Sequence, residues 1–291
     1  AGASKTITHI DGQVASVGVA INLTGGGTAT LNANGTISYA SAVNANGAKS
    51  FSYTLSDGVA SDTASVTVNV APVNDAPVVA NAISDQAVDE DAAFSFTVPA
   101  NTFTDVDGDA LTYAASLANG DPLPSWLTFN ATTRTFSGTP LNGDVGVITV
   151  QVTANDGNGG TVSDAFVIDV GGTNDAPVGP AAGALADGVE DVAYVVSAAT
   201  LLAGLTDADG DTLSVTGLAT SAGTLTNNGD GTWTLTTAAN FNGAVTLSYT
   251  VTDGQGGSQA AARSLNLAPV NDAPVVANAI SDQAVDEDAA F

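Results

Sequence analysis

The chain has 291 residues and sets 30 acidic side chains against four strong cations, Lys5, Lys49, Arg134 and Arg263, for a formal charge of -26. Such a chain cannot neutralise a phosphate backbone, and an anionic membrane surface repels it, so nucleic-acid and membrane partners are excluded. With no Cys and a single His, His9, it has no thiol chemistry, no disulfide, no Cys-type zinc site and no two-His metal site.

The hydrophobic fraction of 44% supplies enough apolar side chain for cores, so disorder is disfavoured. Only Glu90, Glu190 and Glu287 among the acids are glutamates. Aspartate competes with the backbone for hydrogen bonds and is a poor helix former. Together with 32 glycines and abundant Thr, Val and Asn, it predicts an all-β chain of strands and turns. The opening AGASKTITHI lacks the layout of a signal peptide, and no apolar run of about 18 residues could span a membrane.

Residues 1–73 read as the back part of a repeat that lacks its first strands. NDAPVV then begins at Asn74, NDAPVG at Asn174 and NDAPVV again at Asn271. The stretch from Asn74 to Phe94 recurs unchanged from Asn271 to Phe291, which implies duplication of a two-domain unit. The sequence therefore divides into 1–73, complete repeats 74–173 and 174–270, and 271–291 as the first strand of a further repeat. A duplicated linker between unrelated domains is the competing explanation, and recurring Asp-Gly motifs at matching offsets weigh against it.

Within the repeats the period is two. Phe94–Val98, Val147–Val152 and Val245–Val251 alternate apolar and polar residues, as strands with one buried and one solvated face do. Short strands punctuated by DGNGG and NNGDG predict Ig-like β-sandwiches in a linear array. Trp126 and Trp233 fall in alternating patterns and are expected to pack in cores rather than stack on sugars. His9 is expected in a strand or at the surface, with nothing to pair with as a base.

Each complete repeat carries three acidic motifs. The first is a string before the second strand, Asp89-Glu90-Asp91 and Glu190-Asp191. The second is a DxDGD loop, Asp105, Asp107 and Asp109, then Asp207, Asp209 and Asp211. The third is a hairpin turn with Asp156 or Asp253. Asn74, Asp75, Asn174, Asp175, Asn271 and Asp272 add the linkers. Three aspartates in five residues repel one another unless a cation sits among them. Gly108 and Gly210 let the loop close around a centre. Hard oxygens alone favour Ca²⁺ over Mg²⁺. Asp57-Gly58 and Asp230-Gly231 read as plain hairpin turns. A glycosidase pair such as Glu190 and Asp207 is disfavoured, because carboxylates recurring once per domain are a structural pattern, and no enzyme is expected.

The order of acidic string, DxD, Asp-Gly turn and NDAP linker resembles cadherin-type domains. Leu123–Asn130 with Phe136–Pro140 resembles the dystroglycan-type cadherin-like module. Asn240–Gly243 with Tyr249–Gly254 resembles the cadherin-like repeats of large bacterial adhesins, and Phe51–Gly58 resembles the back of such a repeat. The resemblance implies a secreted or cell-surface extender with calcium at each domain junction. At the Asn174 junction it implies Glu90, helped by Asp89 or Asp91, from one domain, with Asn174, Asp175, Asp207, Asp209, Asp253 and Asp211 from linker and following domain. It also suggests an acidic position at Asp144. The implied partners are neighbouring repeats or head-to-tail copies of the chain, with any glycan or protein target held elsewhere. Two other functions stand beside the extender: a filament subunit assembled by β-strand addition, and a glycan- or protein-binding module.

Overall fold

In the computed structural model, residues 4–180 and 182–287 are described. Asp288 and Phe291, which close the repeated segment, lie outside them. The chain is nearly all β, with 47% strand and 3% helix. It divides into two compact units, Ala1–Gly172 and Thr173–Phe291. The first contains two sandwiches and the second contains one.

The first sandwich comprises β1 (Thr6–Ile10), β2 (Gln13–Val14), β3 (Ala20–Asn22), β4 (Thr28–Leu31), β5 (Ile37–Ala40), β6 (Gly47–Ser56) and β7 (Ser61–Val70). Its sheets run β2-β1-β6-β7 and β3-β4-β5. The second comprises β8 (Val78–Val79), β9 (Gln86–Asp89), β10 (Phe94–Thr97), β11 (Phe103–Thr104), β12 (Thr112–Leu117), β13 (Leu127–Asn130), β14 (Thr135–Gly138), β15 (Gly146–Asn155) and β16 (Thr161–Gly171). Its main sheets run β12-β15-β16-β9 and β10-β14-β13, and β8 pairs with β11.

The third comprises β17 (Ala182–Ala184), β18 (Gly188–Val189), β19 (Tyr194–Ser197), a one-turn helix α1 (Ala198–Leu202), β20 (Ser214–Thr220), β21 (Thr224–Asn227), β22 (Thr232–Thr236), β23 (Gly243–Thr252) and β24 (Ser258–Ala268). It repeats the second sandwich's plan, as β17-β24-β23-β20 facing β19-β22-β21. In each sandwich the hairpin of the two longest strands is the spine. Gly47, Gly146 and Gly243 open the spine strands, and ten cross-strand pairs register each hairpin.

The alternation in sequence becomes burial. Val245, Leu247, Tyr249 and Val251 are buried on β23, while the residues between them are exposed or half-buried. In the second sandwich Phe136 is fully enclosed, 4.6 Å from Phe129 and 5.6 Å from Phe166, ring centre to ring centre. Aromatic pairs at this spacing add to the area they bury. Trp126 departs from its expected strand: it precedes β13, half-buried, with its ring edge-on to Phe94. The chain turns there because Gly138 opposite leaves room for the Trp126 carbonyl, and a Cβ would collide with it. Trp233 is half-buried on β22 and packs on the third core. His9 lies on β1, its Nδ1 3.1 Å from the Thr8 hydroxyl.

The first sandwich is thinner. Its fully buried hydrophobic cluster is Ile10, Ile21, Leu23, Ala29, Leu31 and Phe51. β7 has no buried residue, whereas its counterpart β16 buries Phe166, Ile168 and Val170. Among the described residues, no strand covers the outer edge of β7 or of β5, whereas β9 covers β16 and β10 covers β14.

Truncating Phe136 to Ala should cost about 3–5 kcal/mol, the usual range for a buried aromatic. Truncating half-buried Val66 should cost less. Urea unfolding followed at Trp126 in a Trp233→Phe background reports the second sandwich alone. The expected outcome is a lower midpoint for Phe136→Ala and an unmoved one for Val66→Ala.

Candidate metal centre

The DxDGD loops lie between β11 and β12 and between β19 and β20, near the tips of the β15–β16 and β23–β24 hairpins. Gly108 and Gly210 take φ of 81° and 80°, which lets the loop reverse with its carboxylates inward. Asp105 Oδ1 accepts the Asp107 amide at 2.9 Å, and Asp207 Oδ1 accepts the Asp209 amide at 3.0 Å. Carboxyl oxygens of Asp105, Asp107 and Asp109 lie within 4.8 Å of one another, and those of Asp207, Asp209 and Asp211 do the same.

The linkers are fastened to these loops in the same way twice. Asn74 donates its side-chain amide to Asp156 Oδ2 at 2.9 Å, and Asn174 donates to Asp253 Oδ2 at 3.0 Å. The Asp75 amide donates to Asp107 Oδ2 and the Asp175 amide to Asp209 Oδ2, both at 2.7 Å. Asn158 adds a bond to Asp109 Oδ2 at 2.9 Å. Each linker thus lies against the following domain's carboxylates, Asn74 and Asp75 in the first unit, Asn174 and Asp175 in the second.

Sequence reasoning missed the last glycine of each hairpin turn. A Cβ on Gly160 would fall 2.7 Å from Ala76 Cα and against the Asp156 carboxylate. A Cβ on Gly257 would fall 2.7 Å from Ala176 Cα and against Asp253. The linker needs that space to reach the turn. The signal was present as the shared GG ending of DGNGG and DGQGG, but only the fold shows what passes over it.

The acidic strings sit elsewhere in each domain. Asp91 and Asp191 adopt φ of 59° and 58°, a left-handed turn. Glu90 and Glu190 are buried, and their amides bond the Gly171 and Ala268 carbonyls at 2.9 and 3.0 Å. Asp89 and Asp91 are exposed. Glu190 accepts from Asn242 Nδ2 and from the Val270 amide, both at 2.8 Å. Carboxyl oxygens of Glu190, Asp191 and Asp272 lie within 4.8 Å of one another, so the second unit unites an acidic string with the NDAP linker that follows it. Asn271 is exposed and donates to the Asp272 carbonyl.

The remaining acids have local duties. Asp57 accepts the Val59 and Ala60 amides, and Asp230 accepts from Thr232, as ordinary turns do. Asp144 does not extend the metal set, because its carboxylate accepts the Leu141 amide within its own turn. Arg263 donates Nε to the Leu201 carbonyl, and Arg134 lies over the Tyr113 ring.

The electrostatics oppose one another within a cluster. The Asn174 side chain, then the amides of Gln255, Gly256 and Gly257, hold the Asp253 carboxyl below the ordinary aspartate range against burial. Asn74 does the same for Asp156. Burial, then the charges of Asp207, Asp209 and Asp253, pushes Asp211 up. Asp105 Oδ2 and Asp207 Oδ2 are buried and accept no hydrogen bond. An unsatisfied buried carboxylate oxygen is costly unless a cation takes it. An all-oxygen donor set of this density fits Ca²⁺, with Asp105, Asp107, Asp109 and Asp156 at one loop cluster and Asp207, Asp209, Asp211 and Asp253 at the other.

With this geometry established, comparison with known proteins gives three adjoining matches. Residues 3–69 match a family described as "Bacterial Ig domain", 76–171 one described as "Putative Ig domain", and 173–268 one described as "Cadherin-like domain". The chain is a tandem of bacterial Ig, Ig-like and cadherin-like domains. No curated protein sequence matches it. Among solved structures, repeats EC22–24 of mouse cadherin-23 align at a TM-score of 0.53 and 18% identity, over 91% of this chain and 86% of that one. Drosophila N-cadherin EC1–4 aligns at 0.43 and 11%, over 91% and 66%. An endo-fucoidan hydrolase of glycoside hydrolase family 107 aligns at 0.32 and 21%, over 91% of this chain and 39% of its own. The tandem thus spans about two fifths of the hydrolase chain.

These likenesses are of fold. Cadherin-like domains generally bind calcium, and Ig and cadherin-like domains are typically extracellular and non-enzymatic. Among the described residues, no helix of the tandem is long and apolar enough to cross a membrane.

The depressed Asp253 carboxyl has a sign. Its folded value lies below its unfolded one, so its stabilising bonds are complete above the ordinary aspartate range and are lost as pH falls through the folded value. Asn174→Ala should raise the Asp253 titration midpoint, and the third sandwich should begin to lose stability at a higher pH. Carboxyl-carbon NMR titration without calcium checks the first, and acid unfolding followed at Trp233 checks the second.

Proposed function

We propose that this tandem is a calcium-stiffened spacer within a secreted or cell-surface bacterial adhesin. One observation carries the reading: a linker asparagine and aspartate fastened to a DxDGD loop and a hairpin aspartate, built twice with the same bonds. The union of Glu190, Asp191 and Asp272 supports the complementary half, an acidic string meeting the linker that follows it. In this reading a calcium ion at each junction takes ligands from string, linker and following loop. Glu90 serves the Asn174 junction, with Asp89 or Asp91 assisting. The ion neutralises like charges that would otherwise splay the linker and binds only when both domains are folded and docked.

A junction lacking its string should bind more weakly. Beside Asp75 and Asp107 the first sandwich presents Ser41–Asn46, Val70, Ala71 and Val73, which include no carboxylate. The Asn74 junction is therefore the weaker site within this chain.

Small-angle scattering of the whole chain tests the spacer role. With calcium the maximum dimension should be larger and the flexibility lower than with chelator, and an equal profile in both conditions sinks the reading. Calorimetry on Asp207→Ala and Glu90→Ala should show one site weakened by about 10–100-fold, the loss that even an outer-shell partner of a metal can cause. Unchanged binding by Glu90→Ala would remove it from the junction.

A further inference from the structure

The first sandwich carries an open seam. β7 is an edge strand along its whole length, and so is β5. Behind them a groove of about 790 Å³ opens between the sheets, lined by Leu31, Ile37, Phe51, Tyr53, Val66 and Val68. The Tyr39 hydroxyl, also in this groove, is buried and has no hydrogen-bond partner. Exposed edges and apolar grooves of this kind are sites of strand addition.

The chain also contains a segment of matching chemistry. Residues 268–287 repeat residues 71–90 without a change. In the second sandwich this sequence is an integral part of the fold. Gln86–Asp89 forms β9, parallel to β16, with Val88 opposite Val170. Ile83 is 6% exposed there, and Val88 packs against the core. At the other copy no strand is described after Ala268, and Ile280 and Val285 are 93% and 52% exposed. The same side chains that close one sandwich have nothing to close at the other position.

We propose that the seam of the first sandwich receives residues 280–287 of a second copy of this chain, added to β7 as a parallel strand. The register follows from the second sandwich. Val68 and Val70 stand opposite Ser50's neighbour Lys49 and Gly47 on β6, as Ile168 and Val170 stand opposite Ile148 and Gly146 on β15. Gln283 then faces Val68, Val285 faces Val70, and Asp286 faces Ala71. The Glu287 amide meets the Ala71 carbonyl, as the Glu90 amide meets that of Gly171. Val285 covers the groove as Val88 covers its own core. Each copy offers one seam and one tail, so addition is heterologous and runs head to tail. The proposal rests on strand pairing and on no ion, although the register also carries Glu287 toward the junction that lacks an acidic string.

Light scattering on the purified 291-residue chain, in calcium and in chelator, tests it. The mass should rise with concentration from 28.4 kDa in whole-chain steps. A chain lacking residues 279–291, a segment without strand partners in its described part, should stay at single-chain mass, as should Ile280→Asp/Val285→Asp. Growth in either medium supports the proposal. A single-chain mass in both overturns it, as does equal growth of the shortened chain. With no native cysteine, a Val70→Cys chain mixed with a Val285→Cys chain gives a clean register check. A disulfide-linked dimer is expected there and not with Ala284→Cys, whose side chain faces the other way. Equal yields from the two mixtures would overturn the register.

Discussion

Like charge packed at the ends of the sandwiches is the constraint on which the rest of the structure depends. With 30 acids and four strong cations, the chain has no means of pairing its carboxylates internally. Two of those cations are already engaged away from the clusters, Arg263 on the Leu201 carbonyl and Arg134 over Tyr113. The backbone answers in part, with amides turned onto Asp105, Asp156, Asp207 and Asp253. It leaves Asp105 Oδ2 and Asp207 Oδ2 without a donor. A protein that concentrates charge at its loop tips in this way keeps its sandwich walls nearly free of ion pairs. The walls carry Thr–Thr and Thr–Ser hydroxyl pairs instead, such as Thr54 with Thr63 and Thr153 with Ser163.

The fold was readable where its rules are local. Alternation over Val245–Val251 specifies a strand and its buried face, because neighbouring side chains on a strand must point to opposite sides. DxDGD was readable for the same reason: five residues around a left-handed glycine determine their own turn. What escaped depends on partners distant in sequence. Gly160 and Gly257 are required by a linker about 80 residues earlier, and nothing in their own neighbourhood says so. Trp126 reads as a strand residue, yet the approach of its carbonyl to Gly138 turns the chain before the strand begins. The parallel addition of β9 to β16 is likewise invisible in either strand alone.

The first sandwich shows how much a covering strand contributes. Its spine hairpin has the same length and ten-pair register as the others, so the local sequence suffices to form it. Its core nonetheless stays partly open, with Tyr53 and Leu55 half-buried where Val152 and Ala154 are sealed in the second sandwich. Hairpin formation and core closure are thus separable, the one governed by neighbouring residues and the other by strands from the far end of the domain.

That covering strand also sets how a domain meets mechanical load. In the second and third sandwiches the early strand and the last strand are parallel neighbours, β9 beside β16 and β18 beside β24. A pull applied through the two linkers draws such neighbours in opposite directions along their length. The hydrogen bonds between them are strained in shear, all at once, instead of being peeled apart one by one. The first sandwich has no such clasp among its described residues. Under tension its sheets are held by hairpins alone, which makes it the element that yields first and lengthens before its neighbours do.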